Sequence, residues 1–481
     1  MNRRAALRGS LAAGAALALP GEPVRANAPL SLDDASRLNA TPVARHVVVR
    51  SAGEPALLET LRRELKDAAA AGRPVAVGTA RHSMGGQSLA RLGTNFTFDM
   101  PQIAPDVRAG TYRAAAGARW RDVVAALDPL GFSPAVLQSN NDFGAAATFS
   151  VNAHGWPVPF GPMGSTVRSI RLMLADGTVV RCSRTENAAL FGLAMGGYGL
   201  LGIILDLEVA MVPNLLLKPA FEPLAADAFG TRLATLCAEP GVAMAYGRLD
   251  VSRGRFLRDA LLVSYRALPA PRGGLPAASA PGGLSGFLTH EVYRAEVGSD
   301  WGKRLRWFME TEVGTRLGGG VTRNTLLNDP VSALAETGRH RTDILNEYFV
   351  PPEAFPAFLA ACRELVPKHR QDLLNVTLRW VAADRESVLA YAPTPRIAAV
   401  MSFSIPRTPE ADTRLQAMTQ ELIDRVIAIG GSFYLPYRLH ARPDQLARTY
   451  PAIATFAAAK RQFDPGLLFR NALWDKWLAP L

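Results

Sequence analysis

The run Val75-Ala76-Val77-Gly78 breaks into Arg81-His82-Ser83-Met84-Gly85-Gly86-Gln87-Ser88, and no other stretch constrains the fold as much. A short continuous apolar run reads as a buried strand. The loop behind it is built from small residues, so it leaves several backbone N–H groups unpaired, a nest that suits a diphosphate. Such a cradle needs only backbone donors and small side chains, which makes the histidine unexpected. Together they point to a cofactor that is cradled and open to covalent capture at His82.

At 481 residues the chain is too long for one small core, which predicts two domains. Apolar residues make up 48% and charged residues 20%, the balance of a folded chain rather than a disordered one. A formal net charge of +11 raises nucleic acid as a partner class. The basic residues are spread, however, and neither a zinc-ligand spacing nor an aromatic RNA-binding signature occurs, so no nucleic acid is expected. A basic surface still attracts an anionic substrate or makes peripheral contact with a membrane. Cys182, Cys237 and Cys362 are odd in number and widely spaced, so they define neither a disulfide framework nor a redox compartment.

Residues 1–28 read as a twin-arginine export signal. Asn2-Arg3-Arg4-Ala5-Ala6-Leu7-Arg8 precedes a weakly apolar run from Leu11 to Leu19, and Ala26-Asn27-Ala28 offers a small-residue cleavage site. The alternative is an uncleaved N-terminal anchor. The run is too short for a spanning helix, and no integral membrane span is expected elsewhere. The expectation is a periplasmic or secreted protein, exported folded with its cofactor already bound.

A helix is predicted over about 55–72, a strand from Thr111 to Gly117 and a helix from Trp120 to Leu130 closed by Gly131. Residues 144–155 are small, polar and without periodicity. Asp176-Gly177 between apolar runs signals a hairpin. A helix from Ala188 to Met195, a glycine cluster and a strand from Ile203 to Val209 close this unit near Pro213. A Pro/Gly/Ala-rich stretch from Leu268 to Gly286 reads as an exposed loop. Beyond it, strands at 344–349, 375–381 and 400–405 with helices at 356–365 and 412–429 predict an antiparallel sheet with helices on one side.

Several motifs are decoys. Gly197-x-Gly199-x-x-Gly202 has Rossmann spacing, but its order is helix, glycines, strand, whereas a dinucleotide fingerprint needs strand, glycines, helix. His290-Glu291 lacks the second histidine of HExxH, and no GxSxG occurs, so neither a metal site nor a serine nucleophile is expected. What remains is a recurrence. Residues 78–88, 144–155, 161–166 and 196–203 are four loops of small residues within one predicted domain. Any one of them is an ordinary turn, but four with a loop histidine fit a site lined by backbone from several elements.

These residues resemble the FAD-linked oxidoreductases of vanillyl-alcohol oxidase / p-cresol methylhydroxylase (PCMH) type, nearest in pattern to alditol and aldonolactone oxidases, cytokinin dehydrogenases and decaprenylphosphoryl-ribose oxidases. The resemblance implies an α+β fold. Residues 40–213 would form a two-subdomain FAD-binding domain and 214–450 an antiparallel-sheet substrate (cap) domain with helices on one side. Residues 451–481 would return to the FAD domain. It implies that Gly78, Arg81, His82, Ser83, Gly85, Gly86, Gln87 and Ser88 bind the FAD diphosphate, with His82 bonded to the flavin or, alternatively, only touching it. Asn152, His154, Gly155, Gly161, Ser165 and Thr166 would run along the flavin and diphosphate. Gly197, Gly199, Gly202 and Ile203 would lie near the adenosine and isoalloxazine, and Asn471, behind Phe463-Asp464-Pro465, would touch the flavin.

On the substrate side, Asn375 to Arg379 resembles the alditol oxidase strand with a Glu-x-Arg pair, but Thr377 stands at the glutamate position. Phe433 to Tyr437 resembles a segment that carries a lysine where this chain has Tyr437, followed by Arg438. These departures point away from aldonolactone and ribose-lipid substrates toward a different alcohol or sugar. The reaction implied is oxidation of a CH–OH donor, with O2 or a quinone or cytochrome as acceptor. Tyr437, its pKa lowered from ~10 by Arg438 or Arg379, or else Glu347, would take the hydroxyl proton. A flavin-dependent C=C reductase and a non-catalytic exported binding protein are the competing readings.

Overall fold

The computed structural model describes residues 30–50, 53–138, 140–279, 291–317, 319–330 and 338–481. The export signal expected at 1–28 and His290 of the decoy motif lie outside the described residues. No helix among the described residues is long and apolar enough to cross a membrane.

A parallel three-stranded sheet comes first. Thr94–Asp99 lies between Arg45–Arg50 and Val75–Gly78. Parallel strands need a crossover, and the helix Glu54–Ala70 supplies it, with Pro55 in its first turn and Leu61, Leu65 and Ala68 buried. Glu64 is also buried on that helix, because Arg45 of the first strand grips it with two hydrogen bonds of 2.6 Å.

The second sheet is antiparallel. Ile203–Pro213 pairs with Thr111–Ala115 on one side and Val167–Met173 on the other, and Phe132–Pro134 joins its far end. The Asp176-Gly177 hairpin forms as expected, with Met173 opposite Val179 and Gly177 at φ 83°. The helix Trp120–Leu127 tightens into a 3₁₀ turn over Asp128–Leu130, where Pro129 sits, and stops on Gly131 at φ 77°. The aperiodic 144–155 stretch contains a short helix, Ala145–Ser150. Ala145, Ala146, Thr148 and Phe149 are buried on a face too small to create a pattern.

The third sheet has eight antiparallel strands, in the order Val321–Thr322, Leu216–Ala225, Asp259–Ala267, Val242–Leu249, Asp372–Val381, Arg396–Pro406, Arg341–Val350 and Ser432–Phe433. Its two faces differ in chemistry. Gly247 lies against the Phe229 ring of the helix Phe229–Ala238, and Tyr348 meets Phe358 of the helix Phe355–Lys368. Side chains alternate along a strand, so Tyr246, Arg248 and Glu347 point to the opposite face. Thr377 and Arg379, paired with Arg248 and Tyr246, share that face.

The C-terminal segment returns to the first sheet. Val75 donates to the Leu468 carbonyl and Arg470 donates back to Val75, so Phe469 lies parallel beside Val75. Asp464 holds this turn, accepting from the amides of Leu468 and Phe469 and pairing with buried Lys460.

Candidate cofactor and active site

The four small-residue loops converge. The His82 ring packs on Phe143 at 4.3 Å between centroids, and Gly144 faces Thr79 closely, which joins the first loop to the second. Asn152 Oδ1 accepts from Gly164 at 2.9 Å, and the Tyr198 amide donates to the Ser150 carbonyl at 2.8 Å, bringing in the third and fourth. Asn471 closes the ring: its Nδ2 donates to the carbonyls of Gln87 and Tyr198 at 2.7 and 2.9 Å.

The first loop works as two halves. In its second half, the amides of Met84, Gly85 and Gly86 donate to Pro436, to Gln87 Oε1 and to Asp34 Oδ2. Gln87 Nε2 donates to the carbonyls of Leu435 and Tyr437. Gly85 is glycine because a Cβ there would stand 2.4 Å from the Tyr437 carbonyl oxygen. This half therefore fastens the loop to the 434–438 segment, and Gly78–Ser83 is the part of the loop not tied to it. There, Arg81 takes φ 52°, folds over Gly78 and donates to Thr97 Oγ1. His82 and Ser83 are half-buried. Burial lowers the His82 pKa to about 4, so its ring is neutral and nucleophilic at physiological pH. Its Nε2, like Ser88 Oγ, is buried without a hydrogen-bond partner among the described residues. Orphaned buried donors and acceptors call for a polar partner, so these residues fit a cofactor held beside His82.

The other expected cofactor contacts divide. Ser165 is exposed, and its hydroxyl and that of Thr166 donate to carbonyls of their own turn, Pro162 and Met163. Gly155, Gly161, Gly197 and Gly202 lie against backbone carbonyls of neighbouring segments, Gly199 is open at φ 72°, and Ile203 is fully buried in the second sheet. Asn152, at φ 46°, spends its side chain on Gly164 and Asp384. Asn471 likewise spends its donors within the protein and accepts from the Trp474 amide at 3.1 Å.

Below the converging loops lies a buried acid–base cluster. His154 Nε2 bonds to Glu347 Oε1, and Tyr437 Oη donates to Glu347 Oε2 at 3.1 Å. Burial pushes the Glu347 carboxyl up, but the charge and hydrogen bond of His154, the charge of Arg379 and the Tyr437 hydroxyl outweigh it, so the pKa ends below the ordinary 4.5. Burial and then the Glu347 charge raise the Tyr437 phenol well above 10, with Arg379 opposing. Burial lowers Arg379 against the pull of Glu347. The expectation that a cation would lower Tyr437 is thus reversed, because its nearest charged partner is a carboxylate.

Arg438 does not join this cluster. Its side chain turns the other way, to Asp412 at 2.5 Å, Asn39 at 2.8 Å and the Met84 carbonyl at 3.1 Å. The chain turns at Leu435–Pro436 and bends at Tyr437, and the two neighbouring side chains go to different partners. Thr377, at the expected glutamate position, bonds to Arg248 of the neighbouring strand.

Sequence reading passed over the aromatic wall of this cluster. Tyr391 stacks on Phe349 at 4.1 Å and donates to the Asn152 carbonyl at 2.6 Å, and Tyr434 donates to the Val151 carbonyl at 2.7 Å. Both hydroxyls tie the third sheet's side of the site to the segment carrying His154. The Tyr434-x-x-Tyr437 spacing was the available signal for one of them. Tyr391 had none, because it lies in an irregular stretch.

The family model "FAD binding domain" matches residues 53–183. The chain is similar to an "Uncharacterized oxidoreductase ORF5 in fasciation locus" of Rhodococcoides fascians, 30% identical over 33% of this chain and 36% of that one. It is similar to the "Alditol oxidase" of Streptomyces sp. (strain IKD472 / FERM P-14339), 31% identical over 28% of this chain and 35% of the relative. "Cytokinin dehydrogenase 1" of Oryza sativa subsp. japonica is 30% identical over 42% and 40%. The matched stretch spans about a third of the length of the first two. Residues 53–183 are therefore an FAD binding domain.

Proposed function

We propose that this protein is an FAD-linked oxidase or dehydrogenase that oxidises a CH–OH donor, an alcohol or sugar, after twin-arginine export. The observation that carries the reading is the cluster of His154, Glu347, Tyr437 and Arg379, which brings a carboxylate, a phenol and a cation from the third sheet's side against the segment of the FAD binding domain that ends in His154. FAD when bound supplies the hydride acceptor, and the protein must handle the hydroxyl proton. Tyr437, with its own proton directed at Glu347, receives a substrate hydroxyl's hydrogen bond on its oxygen and relays a proton to the carboxylate. Glu347 is the base, His154 holds its second oxygen, and Arg379 stabilises negative charge developing on the substrate or on Tyr437. His82 would hold the flavin covalently, which would prevent loss of the cofactor outside the cytoplasm. The electron acceptor would be O2, a quinone or a cytochrome.

The test is flavin reduction and oxygen or dye turnover against a panel of alditols, aldonolactones and aromatic alcohols, comparing wild type with Glu347→Gln. The expected result is turnover with at least one class and a loss of roughly 10²–10⁴ in Glu347→Gln at unchanged flavin content. Colourless wild-type protein, or full activity in Glu347→Gln, overturns the assignment.

A further inference from the structure

The helix Asp300–Phe308 lies on the polar face of the eight-stranded sheet, and its two sides have opposite chemistry. Inward, Arg306 donates to Glu296 at 2.7 Å and to Asn375 Oδ1 at 3.3 Å, and Lys303 pairs with Asp372 at 2.7 Å. These contacts fasten the helix over the strand that also carries Thr377 and Arg379. Outward, Trp301 is 63% exposed, Phe308 54% and Met309 39%. Trp301 and Phe308 are two helical turns apart, so they share one stripe, with Arg304 between them.

A helix on a water-facing surface normally turns its polar residues outward, so large exposed aromatics on one stripe mark an interaction surface. The rim says with what. Asp300 accepts from the Arg253 amide at 2.7 Å, which sets the turn Arg253–Arg255 against the first turn of the helix. Arg253, which is exposed, makes no ion pair among the described residues, and Arg304 reaches Asp300 only at 3.5 Å. Aromatic rings rimmed by arginines match a bilayer interface, where the rings sit at headgroup depth and the guanidinium groups meet lipid phosphates. We propose that the outer face of Asp300–Phe308, with the Arg253–Arg255 turn, docks on an anionic membrane surface. The proposal stands independently of the substrate and of the cofactor.

The test is co-sedimentation of the full-length protein with vesicles of phosphatidylcholine alone or with about a third phosphatidylglycerol. Wild type should bind the anionic vesicles and release as salt rises. Trp301→Ser/Phe308→Ser should weaken partitioning at least about tenfold, and Arg253→Glu/Arg304→Glu should abolish the preference for anionic lipid. All the proteins carry the same N-terminal segment, so differences among them belong to this face. Three results overturn the proposal: no binding by wild type, unchanged binding in the variants, or a dimer in sedimentation velocity that Trp301→Ser/Phe308→Ser dissolves. Should the aromatic variant misfold, the arginine variant decides alone.

Discussion

Asn471 provides the sharpest structural test. Its amide donates to the carbonyls of Gln87 and Tyr198 and accepts from the Trp474 amide, and the residue is 3% exposed. Asn471→Ala leaves three buried backbone groups without partners. Each costs about 1–3 kcal/mol, and local relaxation trims the sum, so the loss should be about 3–5 kcal/mol. At ~2–4 °C per kcal/mol for a domain of this size, the melting temperature should fall by roughly 6–20 °C. Thermal unfolding followed by far-UV circular dichroism and by flavin absorbance measures it. Asn471→Asp keeps the acceptor for Trp474 but turns a carboxylate toward two carbonyls, so it should do no better than alanine at neutral pH. The reasoning fails if Asn471→Ala melts within about 2 °C of wild type yet loses flavin, because Asn471 would then touch the cofactor and not bind the loops together.

Glu347 is held below 4.5, so the acid limb of the kcat/KM–pH profile should lie below that value, and a limb near neutrality would remove Glu347 as the base. Tyr437→Phe should lower turnover while leaving the flavin spectrum intact. Acid-precipitated wild type should retain its flavin and His82→Ala should release it; free flavin from wild type would disprove the covalent bond. Burial opposes ionisation of Asp412, but His440 and Arg438 outweigh it and hold the carboxyl well below 3.8. Its stabilisation is therefore complete above pH 3.8 and fades as pH falls below it. Asp412→Asn should cost about 2–4 kcal/mol at neutral pH, and a gap to wild type that failed to narrow in acid would refute the ion-pair account.

Much of the fold was legible because its signals are local. The Asp176-Gly177 turn, Gly131 as a stop and the apolar spacing of the first helix act through neighbouring residues alone. The Ala145–Ser150 helix was not legible, since its six residues bury mostly small side chains and are too few to show periodicity. In the site, the sequence offers Glu347, Tyr437 and Arg379 as separate candidates, and the structure brings them together. It offers Arg438 with them, but the geometry takes that side chain to Asp412. His154 was assigned to the cofactor, and its bond to Glu347 crosses 193 residues of chain, which no local pattern encodes.

By itself, the sequence determined which segments carry small residues, where the centres of several strands lie, and that a histidine stands in the first loop. Those properties follow from φ/ψ preference and side-chain periodicity, which operate over a few residues. Only the tertiary structure decided which side chains face one another. It sent half of the 81–88 loop to the Tyr437 segment, made Asn471 a staple and set a carboxylate, not a cation, against the Tyr437 hydroxyl. Charge pairing and burial depend on distance through space, and the return of residues far apart in the chain sets that distance.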